Sequence, residues 1–273
     1  MILGDEMNRQ TKVWTLLVLM AAMVSGLFGC AKTIPEKDRV LARTHYQIAV
    51  TSFRGGDYRE ALRELLQSTK LDPELPETHA ILGMVYHALG HLDDGLMHYE
   101  KAVSLKPNFS SAHNNMGTLL IDLGRYDEAI DSFEIALGDI LYTTPSLAEG
   151  NMGWAYYRMG KTDQGIKHIR NAVATNPKFC RGYEWLARIG LDRDESEDVA
   201  RSYKRFDKYC ANDDEISQIL SPDTLHQMKY YLGLSLVKQG EREAARAVFT
   251  QCALPDADVG FAVRCRTSLQ ELN

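Results

Sequence analysis

The sequence predicts an all-α fold: a right-handed superhelix of about six stacked helix pairs, closed by a C-terminal helix. Three observations carry that expectation. A block of similar residues recurs with a 34-residue period, small residues recur at fixed places within each block, and proline recurs at its end. Self-similarity at this pitch marks a hairpin of two helices that buries its apolar faces against its neighbours.

The block reads Gly56-Asp57-Tyr58-Arg59-Glu60-Ala61-Leu62 and returns at Gly90, Gly124, Gly160 and Gly240. The first three glycines are spaced by 34 residues and the fourth comes 36 later. Each glycine ends a first helix (helix A), where a left-handed backbone suits it. Gly83, Gly117, Gly153 and Gly233 hold the eighth place of helix A, where a side chain would keep the second helix (helix B) away. Ala61, Ala129 and Ala245 do the same from helix B, with Gly95 and Gly165 in that role elsewhere. Tyr99, Phe133, Ile169 and Phe249 fill the gap to the next unit, and Pro73, Pro107 and Pro177 stop helix B. This pattern resembles the tetratricopeptide repeat (TPR). It places repeats at 42–75, 76–109, 110–143, 146–179, 180–213 and 226–257, with a capping helix over 258–273. The fifth repeat is degenerate, with Asp194 where the turn glycine belongs, and Ser221-Pro222-Asp223 reads as a helix start.

The N-terminus carries a different signal. Arg9 and Lys12 precede an uncharged apolar run from Val13 to Phe28, too short to span a bilayer comfortably. Basic flank, short apolar segment and small residues at its end describe a secretory signal peptide over 1–29. The alternative is an uncleaved anchor. Met7 makes a more natural start than Met1, since Asp5 and Glu6 are odd in a basic flank. The run ends Leu27-Phe28-Gly29-Cys30, which resembles the bacterial lipobox despite the bulky Phe28. The resemblance implies cleavage before Cys30, its lipidation and membrane attachment through lipid alone. Ala31, in place of a retaining Asp, implies the periplasmic face of the outer membrane. Residues 30–41 are expected to be a short lipidated linker.

Between the third and fourth repeats, Gly138 to Pro145 exceeds the period by two residues. Leu141-Tyr142 with Pro145, then Ala148, Asn151-Met152-Gly153 and Ala155-Tyr156, resembles the PilF/PilW/Tgl lipoproteins, the pilotins of type IV pilus biogenesis. That resemblance implies an adaptor whose partner is the secretin subunit, the outer-membrane ring through which a pilus passes. The runner-up is a periplasmic TPR scaffold for peptidoglycan hydrolases or other envelope proteins.

Function classes narrow further from what is missing. The sequence has no P-loop, G-x-S-x-G, H-E-x-x-H or dinucleotide fingerprint, so no enzyme, cofactor or small-molecule substrate is expected. A net charge of −6 without a basic cluster argues against nucleic acid. His45, His79 and His113 share the fourth place of helix A, too far apart for one metal and better read as packing residues. Cys180, Cys210, Cys252 and Cys265 allow three pairings or buried free thiols. A hairpin brings Cys180 and Cys210 together if its helices match in length. Helix A places 2, 5, 9, 12 and 13 line the inner wall of such an array and give a candidate partner-binding groove of Tyr46, Val50, Phe53, Met84, His87, Asn114, Thr118, Ile121, Trp154 and Tyr157. This wall is apolar and aromatic, suited to a peptide with large apolar anchors. Packing against neighbouring helices is the competing reading for several of these residues.

Overall fold

The protein is described by a computed structural model covering residues 34–253 and 260–272. The described residues form helices and no strands. The signal segment 1–29 and Cys30 lie outside the described residues. Six helix pairs follow in order. They are α1 (Glu36–Arg54) with α2 (Tyr58–Leu71), α3 (Pro76–Ala88) with α4 (Leu92–Leu105), and α5 (Ser110–Asp122) with α6 (Tyr126–Gly138). Then come α7 (Pro145–Arg158) with α8 (Thr162–Thr175), α9 (Cys180–Asp192) with α10 (Ser196–Phe206), and α11 (Pro222–Lys238) with α12 (Arg242–Cys252). A last helix, α13 (Gly260–Glu271), packs on α11 and α12. Among the described residues, no helix is long and apolar enough to cross a membrane.

The packing follows from the small residues. A Cβ placed on Gly83, Gly117 or Gly233 would lie 2.7, 2.6 or 2.4 Å from the ring of Tyr99, Phe133 or Phe249. Those rings are at most 1 % exposed, so each fills the gap that its glycine leaves open. Full burial of such a side chain stabilises by about 1.5–3 kcal/mol. The turns also repeat. The five turn glycines have φ between 75° and 83°, and Asp194 takes φ 62° at the equivalent turn of the fifth repeat. Aspartate is among the few side chains that tolerate this region.

The recurring fourth-place residue has a structural job. His79 Nε2 donates to the Pro73 carbonyl at 3.0 Å and His113 Nε2 to that of Pro107 at 2.9 Å. The Tyr183 hydroxyl does the same to Pro177 at 3.0 Å. Proline stops helix B and leaves carbonyls without helical partners, and the next helix supplies a donor. His45 instead pairs with Glu64 of its own hairpin at 2.7 Å.

The structure corrects one boundary. Helix α1 opens at Glu36, so the segment 30–41 read as linker is helical from that residue on. Pro35 precedes it with φ −57°, and Glu36 and Asp38 place acids in its first turn, where the helix dipole favours them. At the other end, Ala262 and Cys265 are the buried residues of the capping helix, and Leu272 just beyond it is buried too.

Disulfides join Cys180 to Cys210 and Cys252 to Cys265, each with Cα atoms 5.9 Å apart. The first links the start of α9 to the π-helical turn Asp207–Ala211 after α10. The second ties α12 to the capping helix.

Candidate functional site

The A helices stack side by side, α1 on α3, α3 on α5 and α5 on α7. Phe53, Met84, His87 and Thr118 line one cavity of about 510 Å³, together with Asn115 and Arg181. Phe53 belongs to the first repeat and Arg181 to the fifth. The array is therefore curled enough that distant repeats face each other across the groove. Tyr46 and Val50 are half-buried, and Tyr46 packs on the core of the first hairpin.

Asn114 and Ile121 are not open wall, which corrects their assignment to the groove. They are 7 % and 4 % exposed. The Asn151 amide donates to Asn114 Oδ1 at 3.0 Å and Thr118 Oγ1 at 3.2 Å, stitching α5 to α7. Ile121 belongs to the central apolar core. Inward places thus split between exposed wall and the seam joining adjacent A helices.

Trp154 and Tyr157 meet partners that the place pattern did not supply. Trp154 stacks on Trp185 with centroids 5.1 Å apart and planes at 9°, and Tyr157 leans on Trp154 at 5.1 Å. Phe179 meets Trp185 edge-on at 5.7 Å. The Arg188 guanidinium lies 5.6 Å from the Trp154 ring, within cation–π range. Two latches tie neighbouring repeats. His87 Nε2 bonds Asp122 Oδ2 at 2.7 Å, and the Tyr157 hydroxyl donates to Asp192. Burial, reinforced by Asp192, pushes the Tyr157 phenol up to about 12.

Sequence reasoning missed Arg181, Glu184, Trp185 and Arg188. The signal was present for three of them. Arg181, Glu184 and Arg188 occupy the second, fifth and ninth places of the fifth helix A, the places used for the other repeats. Treating that repeat as degenerate left them out. Trp185, at the sixth place, is found only from the stacking itself.

Burial pushes the Glu184 carboxyl up to about 7, with Arg181 pulling it back. A folded-state value above the unfolded one means that the folded chain binds the proton more tightly. The contribution to stability is full below the unfolded value of about 4.5 and is lost as pH rises through about 7. Glu184→Gln is therefore expected to flatten the fall in melting temperature between pH 5 and pH 8, measured by circular dichroism. An unchanged slope assigns that fall to other groups.

Family models described as tetratricopeptide repeat match residues 42–75, 76–109, 98–131 and 228–253. The chain thus carries tetratricopeptide repeats, stacked as a helical array. No curated protein matches it by sequence. Among solved structures it is similar to PilW, described as a widely conserved type IV pilus biogenesis factor. That match has a TM-score of 0.70 at 23 % identity, covering 82 % of this chain and 97 % of PilW. It is also similar to PilF of Pseudomonas aeruginosa, with a TM-score of 0.68 at 17 % identity over 85 % of this chain and all of PilF (100 %). A chain of the APC/C hetero-tetramer Cut9–Hcn1 reaches the same TM-score of 0.68 at 13 % identity, over 87 % of this chain and 43 % of that one. At such identities the likeness is one of fold.

Proposed function

We propose that the protein is a lipid-anchored adaptor of the pilotin kind, which holds a segment of the secretin subunit in its groove and supports secretin assembly for type IV pili. The observation that carries this reading is the Tyr157–Trp154–Trp185 aromatic run, flanked by Arg188 on the inner wall. Partly exposed aromatics beside arginine are what binding hot spots are made of. The likeness in fold to PilW, described as a type IV pilus biogenesis factor, over 82 % of this chain and 97 % of that one, supports a role in pilus biogenesis. Lipidation at Cys30 would hold the groove at the periplasmic face of the outer membrane. Adaptor and partner confined to one surface meet at a raised effective concentration.

Deleting the gene is expected to abolish surface pili and leave secretin as monomers on a native gel. Normal secretin multimers in that strain refute the role. In purified components, Trp185→Ala with Arg188→Glu is expected to weaken secretin binding at least tenfold, about 1.4 kcal/mol, without lowering the helical signal. Unchanged affinity moves the site off this wall. Pull-down of peptidoglycan hydrolases in place of secretin favours the scaffold reading instead.

A further inference from the structure

The fifth repeat differs from the second and fourth at two places. At the eleventh place of helix A the second and fourth repeats carry Tyr86 and Tyr156. Each stacks on a histidine at the 23rd place, on helix B of the same hairpin. Tyr86 lies on His98 at 5.3 Å and Tyr156 on His168 at 5.2 Å. In the fifth repeat these places hold Gly190 and Ser202. Neither place carries a ring. A Cβ on Gly190 would lie 3.0 Å from Val199 Cγ2, so this glycine lets α10 approach closely, and both small residues line a cavity of about 450 Å³ between α8, α9 and α10. That volume is in the range of small-ligand pockets.

The walls divide by chemistry. Val173, Tyr183 and Ile189 are buried core residues that give an apolar floor. Arg170, Arg201 and Arg205 also line the cavity. Asp198 engages two of them, Arg170 at 2.9 Å and Arg201 at 2.8 Å. Glu195 is held by Arg193 at 2.7 Å. Arg205 faces the Tyr183 ring at 5.5 Å and the Val173 carbonyl at 3.4 Å. Three guanidiniums thus line the cavity, two of them on the one carboxylate of Asp198, in a chain whose net charge is negative. A further carboxylate is the complement of that imbalance, because charge-assisted guanidinium pairs are the strong ones.

We propose that this cavity binds an aromatic carboxylate, with its ring on the apolar floor of Val173, Tyr183 and Ile189 and its carboxylate against Arg205 and Arg170. The site lies on the helix-B side of the array, away from the inner groove. The aromatic residue at the C-terminus of a polypeptide and a free aromatic acid both offer this chemistry.

Calorimetric titration of the full chain in detergent tests it with three probes: a hexapeptide ending in phenylalanine, the same peptide as its C-terminal amide, and 3-phenylpropionate. The free-acid peptide is expected to bind saturably and the amide at least tenfold more weakly. A peptide tenfold tighter than 3-phenylpropionate identifies a polypeptide end as the occupant, whereas equal affinity identifies a small aromatic acid. Ser202→His brings a ring into the cavity from helix B, at the place where the second and fourth repeats carry histidine, and is expected to abolish binding. Should that variant fail to fold, Arg205→Gln at the half-buried wall is expected to weaken binding at least tenfold with melting little changed. Binding of neither acid, equal binding of acid and amide, or full binding by a folded Ser202→His variant or by Arg205→Gln overturns the proposal.

Discussion

Replacing Cys180 and Cys210 together with alanine is expected to lower the stability of the fifth repeat by about 3–4 kcal/mol, the chain-entropy value for a loop of its size. The sequence separation is 30 residues. The same estimate for Cys252–Cys265, separated by 13, is about 3 kcal/mol. The first loss falls where the array has least other support, in a repeat whose turn lacks glycine and whose helix B ends in a π turn. It is also easy to read. After Cys30 the sequence has two tryptophans, Trp154 and Trp185, and they are the stacked pair. Tryptophan fluorescence in urea is therefore expected to shift at lower denaturant than the far-ultraviolet helical signal. Partial unfolding of this kind suits an array in which each unit contacts only its neighbours. Coincident transitions at the parental midpoint would show that packing alone holds the repeat.

The repeat architecture was legible because it depends on residue size at fixed intervals. Gly117 announces the close approach of helix B through its recurring place, whereas Phe133, expected in the gap to the next unit, turns its ring onto Gly117 of its own hairpin. The turn at Asp194 was legible as an anomaly but not in its outcome. That an aspartate there takes the left-handed conformation depends on the helices around it. The groove was legible only in part. Asn114 and Ile121 occupy inward places yet are buried, Asn114 against Asn151 of α7, because a place on one helix does not report how closely its neighbours approach. Trp185 escaped for the same reason, since stacking is a relation between two repeats. The cavity beside Gly190 and Ser202 is an absence, visible only when each repeat is compared with its neighbours in three dimensions.

Two glycines in one repeat should respond differently to the same substitution, and the contrast tests the packing account. At Gly124 the backbone has φ +75° and a Cβ would meet open space, so Gly124→Ala carries only the left-handed penalty of about 1–2 kcal/mol. At Gly117 a Cβ would lie 2.6 Å from Cε1 and 2.8 Å from Cζ of Phe133, a ring with no exposed surface on which to yield. Overpacking of this kind costs about 1–3 kcal/mol and occasionally more. Gly117→Leu, with three further carbons, is expected to cost more than about 3 kcal/mol. Phe133→Leu made together with Gly117→Ala should recover part of the loss, because the shorter side chain withdraws the atoms that clash. A double-mutant cycle measured by urea melts is expected to show a coupling of about 1 kcal/mol or more. Additive effects would mean that the glycine is there for its backbone and not for the ring. The site makes the packing consequential. Phe53 and Arg181 share one cavity only while every intervening hairpin keeps its pitch, and the α5–α6 hairpin lies between them. Prying it open at Gly117 should therefore weaken partner binding at a wall that the substitution never touches.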